Sequence, residues 1–219
     1  MTVKVVPTVF VKETEAYGER LELYEALVDR VQLDVADEEF TVTPTLAVGE
    51  LLAVPSILTR DLHLMVSEPV THLPVCAKYG AGVVTGQIEL MSDQKEFVRE
   101  AERLGLKAGL AVDLETDFDD LDWPVAQGVT QILVMTVAAG KEEQKFDKTA
   151  LEKVRRLRNK GFGGEICVDG GVNEQSIGMC VKAGADLLAV GSAIWKATDP
   201  KAAHEALSGL AMEAAGKVK

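Results

Sequence analysis

The sequence predicts an α/β protein folded as one (β/α)8 TIM barrel, with residues 1–219 forming a single domain. Three observations predict it. Short apolar segments of strand character alternate with helical segments in eight pairs, and a strand needs such a crossover before it can meet a parallel neighbour. Eight units share 219 residues, about 27 each, near the lower end of what this barrel requires. The last two strands end in glycine turns, at Gly170-Gly171 and Gly191-Ser192, which turn backbone N–H groups toward an anion. A doubly wound open sheet would use fewer strands and carry a glycine fingerprint after the first, where this chain has Thr8-Val9-Phe10.

Taken in order, residues 3–10 are an apolar run broken by Pro7 and read as the first strand, ending near Thr8. Leu21, Tyr24, Leu27 and Val28 recur at helical spacing within 17–28. Strand two is 31–35, with Asp34 near its end, and a polar connection over 37–44 leads to a helix over 46–53. Strand three is 62–65, preceded by Asp61, and Pro69 suits the first turn of a helix that runs to residue 79 before Gly80. Strand four is 82–88. The helix over 93–104 puts Phe97, Val98, Ala101 and Leu104 on one face, and Gly105 ends it. Strand five (107–112), a short helix (118–126), strand six (129–137) and a helix over 149–160 follow. After strands seven and eight come helices over 174–183 and 200–214.

A hydrophobic content of 47% is ample for a large core. No apolar run approaches the roughly 18 residues of a membrane span, and Met1 to Val6 has no signal-peptide layout; the expected location is the cytoplasm. The net charge of −12 opposes contact with nucleic acid or anionic membrane. An anionic ligand must then be held by local backbone dipoles. Cys76, Cys167 and Cys180 are odd in number and set in apolar contexts, so they read as buried thiols.

In such a barrel the chemistry lies where strands end. Those ends carry Thr8, Gln32 with Asp34, His63, Gln87 with Glu89, Asp113, Thr136, Asp169 and Ser192. Asp34 and Asp169 lie on strands two and seven and can meet only across the barrel mouth. Two opposed carboxylates suit a reaction that takes a proton from one face of a carbon and returns one to the other. Each acid alone is equally well a helix N-cap or a loop-ordering group. His63, flanked by Leu62, Leu64 and Met65, faces the barrel axis. It is either a satisfied core histidine or, in company with the two acids, a metal ligand. His72 and His204 fall in helices without such company. Gly170, Gly171, Gly191 and Ser192 occupy the loops after strands seven and eight, where these barrels hold phosphate, although glycine is also the ordinary turn residue there.

The order and content of five motifs resemble the ribulose-phosphate 3-epimerase family of the ribulose-phosphate-binding barrels. They are Gln32-Leu33-Asp34 against the family's His-x-Asp, Asp61-Leu62-His63-Leu64-Met65 against its Asp-x-His-Leu-Met, Leu133 to Val137, Val168 to Val172, and Val190 to Ile194. The resemblance implies an isomerase that interconverts ketose phosphates such as ribulose 5-phosphate and xylulose 5-phosphate. Asp34 and Asp169 would be its acid/base pair. A divalent ion of the Zn, Fe, Mn or Co class, held by Asp34, His63, Asp169 and Gln32, would stabilise an enediolate. Thr8, Met65, Met135, Gly170, Gly171, Gly191 and Ser192 would contact substrate, and a homo-oligomer is expected.

The chain departs from that pattern at Gln32, at Ala36 in place of a methionine, at Thr8 in place of a serine, and in the loop Ala138 to Gln144. A neutral amide oxygen is a poorer ligand than imidazole for zinc-like ions. Glu142 and Glu143 stand where the family has glycines, beside Lys141. A second reading is therefore a diverged barrel that binds a sugar phosphate without efficient turnover or serves as a structural partner. The decarboxylase and aldolase branch of these barrels carries Asp-x-Lys on strand three, where this chain has Asp61-Leu62-His63.

Overall fold

Alternation of side chains along each strand decides the architecture. A computed structural model describes residues 3–141 and 144–217. Its strands are β1 (Lys4–Val9), β2 (Arg30–Ala36), β3 (Thr59–Met65), β4 (Val83–Gln87), β5 (Lys107–Val112), β6 (Gln131–Met135), β7 (Glu165–Asp169) and β8 (Leu187–Val190). They pair in parallel in sequence order, and β8 returns to β1 to close the barrel. Because successive side chains point to opposite faces, each strand feeds two cores. Val31, Leu33 and Val35 of β2, Ile132 and Val134 of β6, and Ile166 and Val168 of β7 pack outward with the helices. Ala36, Met65, Leu133, Met135, Cys167 and Ala189 face inward and pack with one another.

The helices are α1 (Thr14–Glu25), α2 (Val48–Ala53), α3 (Leu73–Lys78), α4 (Gln94–Arg103), α5 (Trp123–Ala126), α6 (Leu151–Asn159), α7 (Ile177–Ala183), α8 (Ser192–Trp195) and α9 (Pro200–Gly216). Asp93 and Asp199 start α4 and α9 by accepting from the backbone N–H of Glu96 and Ala202. Several boundaries differ from the sequence reading for identifiable reasons. β1 runs through Pro7, whose missing N–H is tolerated at the end of the pairing with β8, while pairing with β2 begins at Thr8. β3 starts at Thr59 and so includes Asp61. The helix expected from Pro69 is a 3-10 turn, Pro69–His72, followed by α3, because Pro74 cannot donate back into the preceding turn. The segment 118–126 likewise divides into a 3-10 turn and α5, each with its own aspartate cap, Asp117 and Asp122.

The lower end of the barrel is closed by charge. Arg30 reaches Asp61 at 2.5 Å and Glu165, on β7, at 3.0 Å. The three cysteines are free and buried, and no described helix is long and apolar enough to cross a membrane.

Candidate active site

The register of β2 on β3 sets Asp34 beside His63, and that of β6 on β7 sets Met135 beside Asp169. All four side chains point into the barrel near its C-terminal mouth. Barrel closure brings Asp169 across to Asp34, and one ligand atom from each of Asp34, His63 and Asp169 lies within 4.8 Å of the others. Gln32, one inward position below Asp34, bridges the two acids. Its Nε2 donates to Asp34 Oδ1 at 2.8 Å and to Asp169 Oδ2 at 2.5 Å. Its Oε1 faces the Cys167 thiol at 3.9 Å. This orientation follows from charge, since the reversed amide would set its oxygen against two carboxylate oxygens.

His63 completes the cluster. Its Nε2 lies 2.8 Å from Gln87 Oε1, while Nδ1 is 3.2 Å from Asp34 Oδ1 and 3.9 Å from Asp169 Oδ2. Donation from Nε2 to Gln87 leaves Nδ1 facing two carboxylates. That position suits an N–H or a bound cation, not a bare lone pair. Burial alone would lower the His63 pKa, but the hydrogen bond and charge of Asp34, with the charge of Asp169, carry it above its ordinary value. Burial first, and then the neighbouring Asp34 carboxylate, push Asp169 from 3.8 up to about 7.

Above the cluster opens a cavity of about 780 Å³, lined by Asp34, His63 and Asp169 at its base and by Thr8, Met65, Met135, Gly170, Gly171, Gly191 and Ser192 on its walls. Gln32 sits behind the carboxylates and is not among the lining residues. The sequence-predicted residues thus converge, with Gln32 placed one layer deeper than the rest. Sequence reasoning gave no role to Gln87, the partner of His63, and overlooked Lys145 and Lys196, which line the cavity with Lys141. Their clustering had no local signal, because two segments far apart in sequence supply them, the loop after β6 (Lys141, Lys145) and the end of α8 (Lys196).

Other strand-end groups serve the loops. Asp113 Oδ1 accepts from the Ala139 N–H at 2.9 Å, and Glu89 accepts from the Asp113 N–H at 2.8 Å. Thr136 Oγ1 donates to the carbonyl oxygens of Asp169 and Gly170. The loop after β6 is tied down by Gln144, whose Nε2 donates to Ala138 O at 2.6 Å and Lys141 O at 3.0 Å. Gly140 N donates to Met65 Sδ at 3.1 Å, and Thr41 Oγ1 donates to Gly140 O at 2.7 Å. Glu142 and Glu143 lie outside the described residues. Gly170 and Gly171 have φ of 110° and 61°. A Cβ on Gly171 would meet Phe146 N at 2.7 Å, and one on Gly170 would meet Val137 at 2.6 Å. Their glycine identity is thus required by backbone conformation and by the β6 loop, independently of any anion.

Fold and site together define a (β/α)8-barrel protein with a buried carboxylate–histidine cluster at the C-terminal mouth. Residues 4–195 match the model of the Ribulose-phosphate 3 epimerase family. The Ribulose-phosphate 3-epimerase of Bacillus subtilis is 30% identical over 224 residues, covering 94% of this chain and 99% of that one. The enzyme of the same name from Mycobacterium tuberculosis is 35% identical over 189 residues, covering 82% and 80%. This chain belongs to the ribulose-phosphate 3-epimerase family, and the relatives just described are named enzymes. Among solved structures, a 3-hexulose-6-phosphate synthase superposes with a TM-score of 0.70 at 20% identity over 95% of this chain and 99% of that one. Another, from Salmonella typhimurium, gives 0.73 at 17% over 97% and 100%; the likeness there is one of fold.

Proposed function

We propose that the protein is a ketose-phosphate 3-epimerase, acting on ribulose 5-phosphate and xylulose 5-phosphate or a similar sugar phosphate. The observation that carries this reading is the meeting of Asp34 and Asp169, with His63, at the base of the cavity. One carboxylate removes the proton from C3 on one face of the substrate, and the other delivers a proton to the opposite face. Burial and the Asp34 charge raise the Asp169 pKa to about 7, in the range where a carboxyl group can serve as acid or as base. In the reverse direction the roles exchange. Gly170, Gly171, Gly191 and Ser192 would hold the phosphate with their backbone N–H groups, and Lys141 and Lys145 offset the negative field of a chain with net charge −12.

The donor set fits a divalent ion of the Zn, Fe, Mn or Co class. Two carboxylates and an imidazole Nδ1 within 4.8 Å of one another come into range of metal bonds of about 2.0–2.2 Å after small side-chain movements. Asp34, His63 and Asp169 would hold it, and such an ion supplies positive charge opposite the oxygens on which an enediolate's charge develops. The same reading carries a cytoplasmic homo-oligomer that binds neither nucleic acid nor membrane, in keeping with the acidic charge. The test is incubation of ribulose 5-phosphate with the protein and divalent ions in deuterated water. Xylulose 5-phosphate labelled at C3 is the expected product; no label and no epimer would overturn the reading.

One observation favours a second reading, a diverged barrel that binds a sugar phosphate without efficient turnover: the Gln32 amide occupies the position between the two carboxylates. Metal analysis separates the two. A stoichiometric ion that is lost in His63→Ala counts against the non-catalytic reading.

A further inference from the structure

The hydrogen bonds of Gln32 converge on the same two oxygens that face His63. Nε2 contacts Asp34 Oδ1 and Asp169 Oδ2, and these are the atoms 3.2 Å and 3.9 Å from His63 Nδ1. A primary amide has two hydrogens, and here each has its own carboxyl oxygen acceptor. The other end of the amide accepts a weak bond from the Cys167 thiol. Gln32 is buried, so no water competes for these bonds, and bonds to charged acceptors in such surroundings are the stronger kind. A cation held by Asp34, His63 and Asp169 needs lone pairs on those oxygens and would find the positive end of the amide dipole aimed at it.

We propose that Gln32 is an internal stand-in for the cation: its NH2 group bridges the Asp34–Asp169 pair in the ion-free protein, and an ion must displace it to bind. Gln32 is then a specificity-determining residue that weakens ion binding, and not a fourth ligand. The inference rests on reading Asp34, His63 and Asp169 as cation ligands. It does not depend on which sugar phosphate is turned over. Its consequence is a site that fills only at high free-ion concentration, because every ion bound costs two charge-assisted hydrogen bonds.

The test is calorimetric titration of the ion-free protein and of Gln32→Leu with Mn²⁺ alone. Removal of the two competing bonds should tighten Mn²⁺ binding by at least about tenfold. Equal or weaker binding in the variant would overturn the proposal, weaker binding marking Gln32 as a ligand through Oε1. If neither protein binds Mn²⁺, the cation-site reading fails and this inference fails with it, an outcome distinct from the first two. Should Gln32→Leu not fold with its two carboxylates unbridged, the wild type supplies a second readout. The side-chain NH2 signals of Gln32 in nitrogen-edited NMR should be shifted and protected from exchange in the ion-free protein, and should lose that protection as Zn²⁺ is added. Signals that persist unchanged in the Zn²⁺-loaded protein would overturn the proposal.

Discussion

In the proposed epimerisation Asp34 and Asp169 serve opposite faces of the substrate, and single variants test this. Asp34→Asn and Asp169→Asn are each expected to lower epimerisation by at least about 100-fold while keeping the fold. Each should still exchange deuterium into one epimer, a different one in the two variants. Exchange lost from both epimers in either variant would contradict opposite-face roles. His63→Ala removes the group whose Nδ1 faces both acids and should abolish ion binding, measured on the purified protein. Of these residues, Asp34, His63 and Asp169 are legible in the sequence as inward-facing strand-end groups. The bridging amide of Gln32 is not, because amide orientation is chosen by neighbours from distant strands.

The loop after β6 and the turn after β7 form one interlocked unit. Gly171 has φ of 61° and would place a Cβ 2.7 Å from Phe146 N. Gly171→Ala should therefore cost at least about 1–3 kcal/mol in unfolding free energy and disturb the cavity wall. Denaturant unfolding together with KM for the sugar phosphate reads both effects; a wild-type unfolding midpoint would contradict the close approach. The sequence suggests an anion cradle at these glycines. It could not reveal that the β6 loop needs them too, since that contact joins segments about 30 residues apart in sequence that meet only once β6 pairs with β7.

At the scale of the molecule, two features govern stability. Arg30 ties β2 to β3 and, across the barrel floor, to β7. Arg30→Met leaves the buried Asp61 carboxylate without its counter-charge and should destabilise by about 3–5 kcal/mol, read as a lowered urea midpoint. The second feature is pH. Asp169 rises from 3.8 to about 7 on folding, and His63 also moves up, so both bind protons more tightly folded than unfolded. Their contribution is fully present below the unfolded values and is lost as pH rises through the folded ones. The ion-free protein should thus lose stability from this cluster between pH 3.8 and about 7. Melting temperatures of wild type and Asp169→Asn across that window check it, the variant being expected to show the smaller decline.

The sequence by itself determined the barrel, the inward position of Asp34, His63 and Asp169, and the glycine turns after β7 and β8. These follow from a period of two along strands, from crossover length and from backbone chemistry, all of which are local. Only the tertiary structure decided which inward groups share a layer. It sent Glu89, Asp113 and Thr136 to hold loops, brought Lys145 to the cavity, and set the Gln32 amide between two acids. The physical reason is that strand register around eight strands is fixed only when β8 pairs with β1, and groups more than a hundred residues apart cannot be matched before that closure.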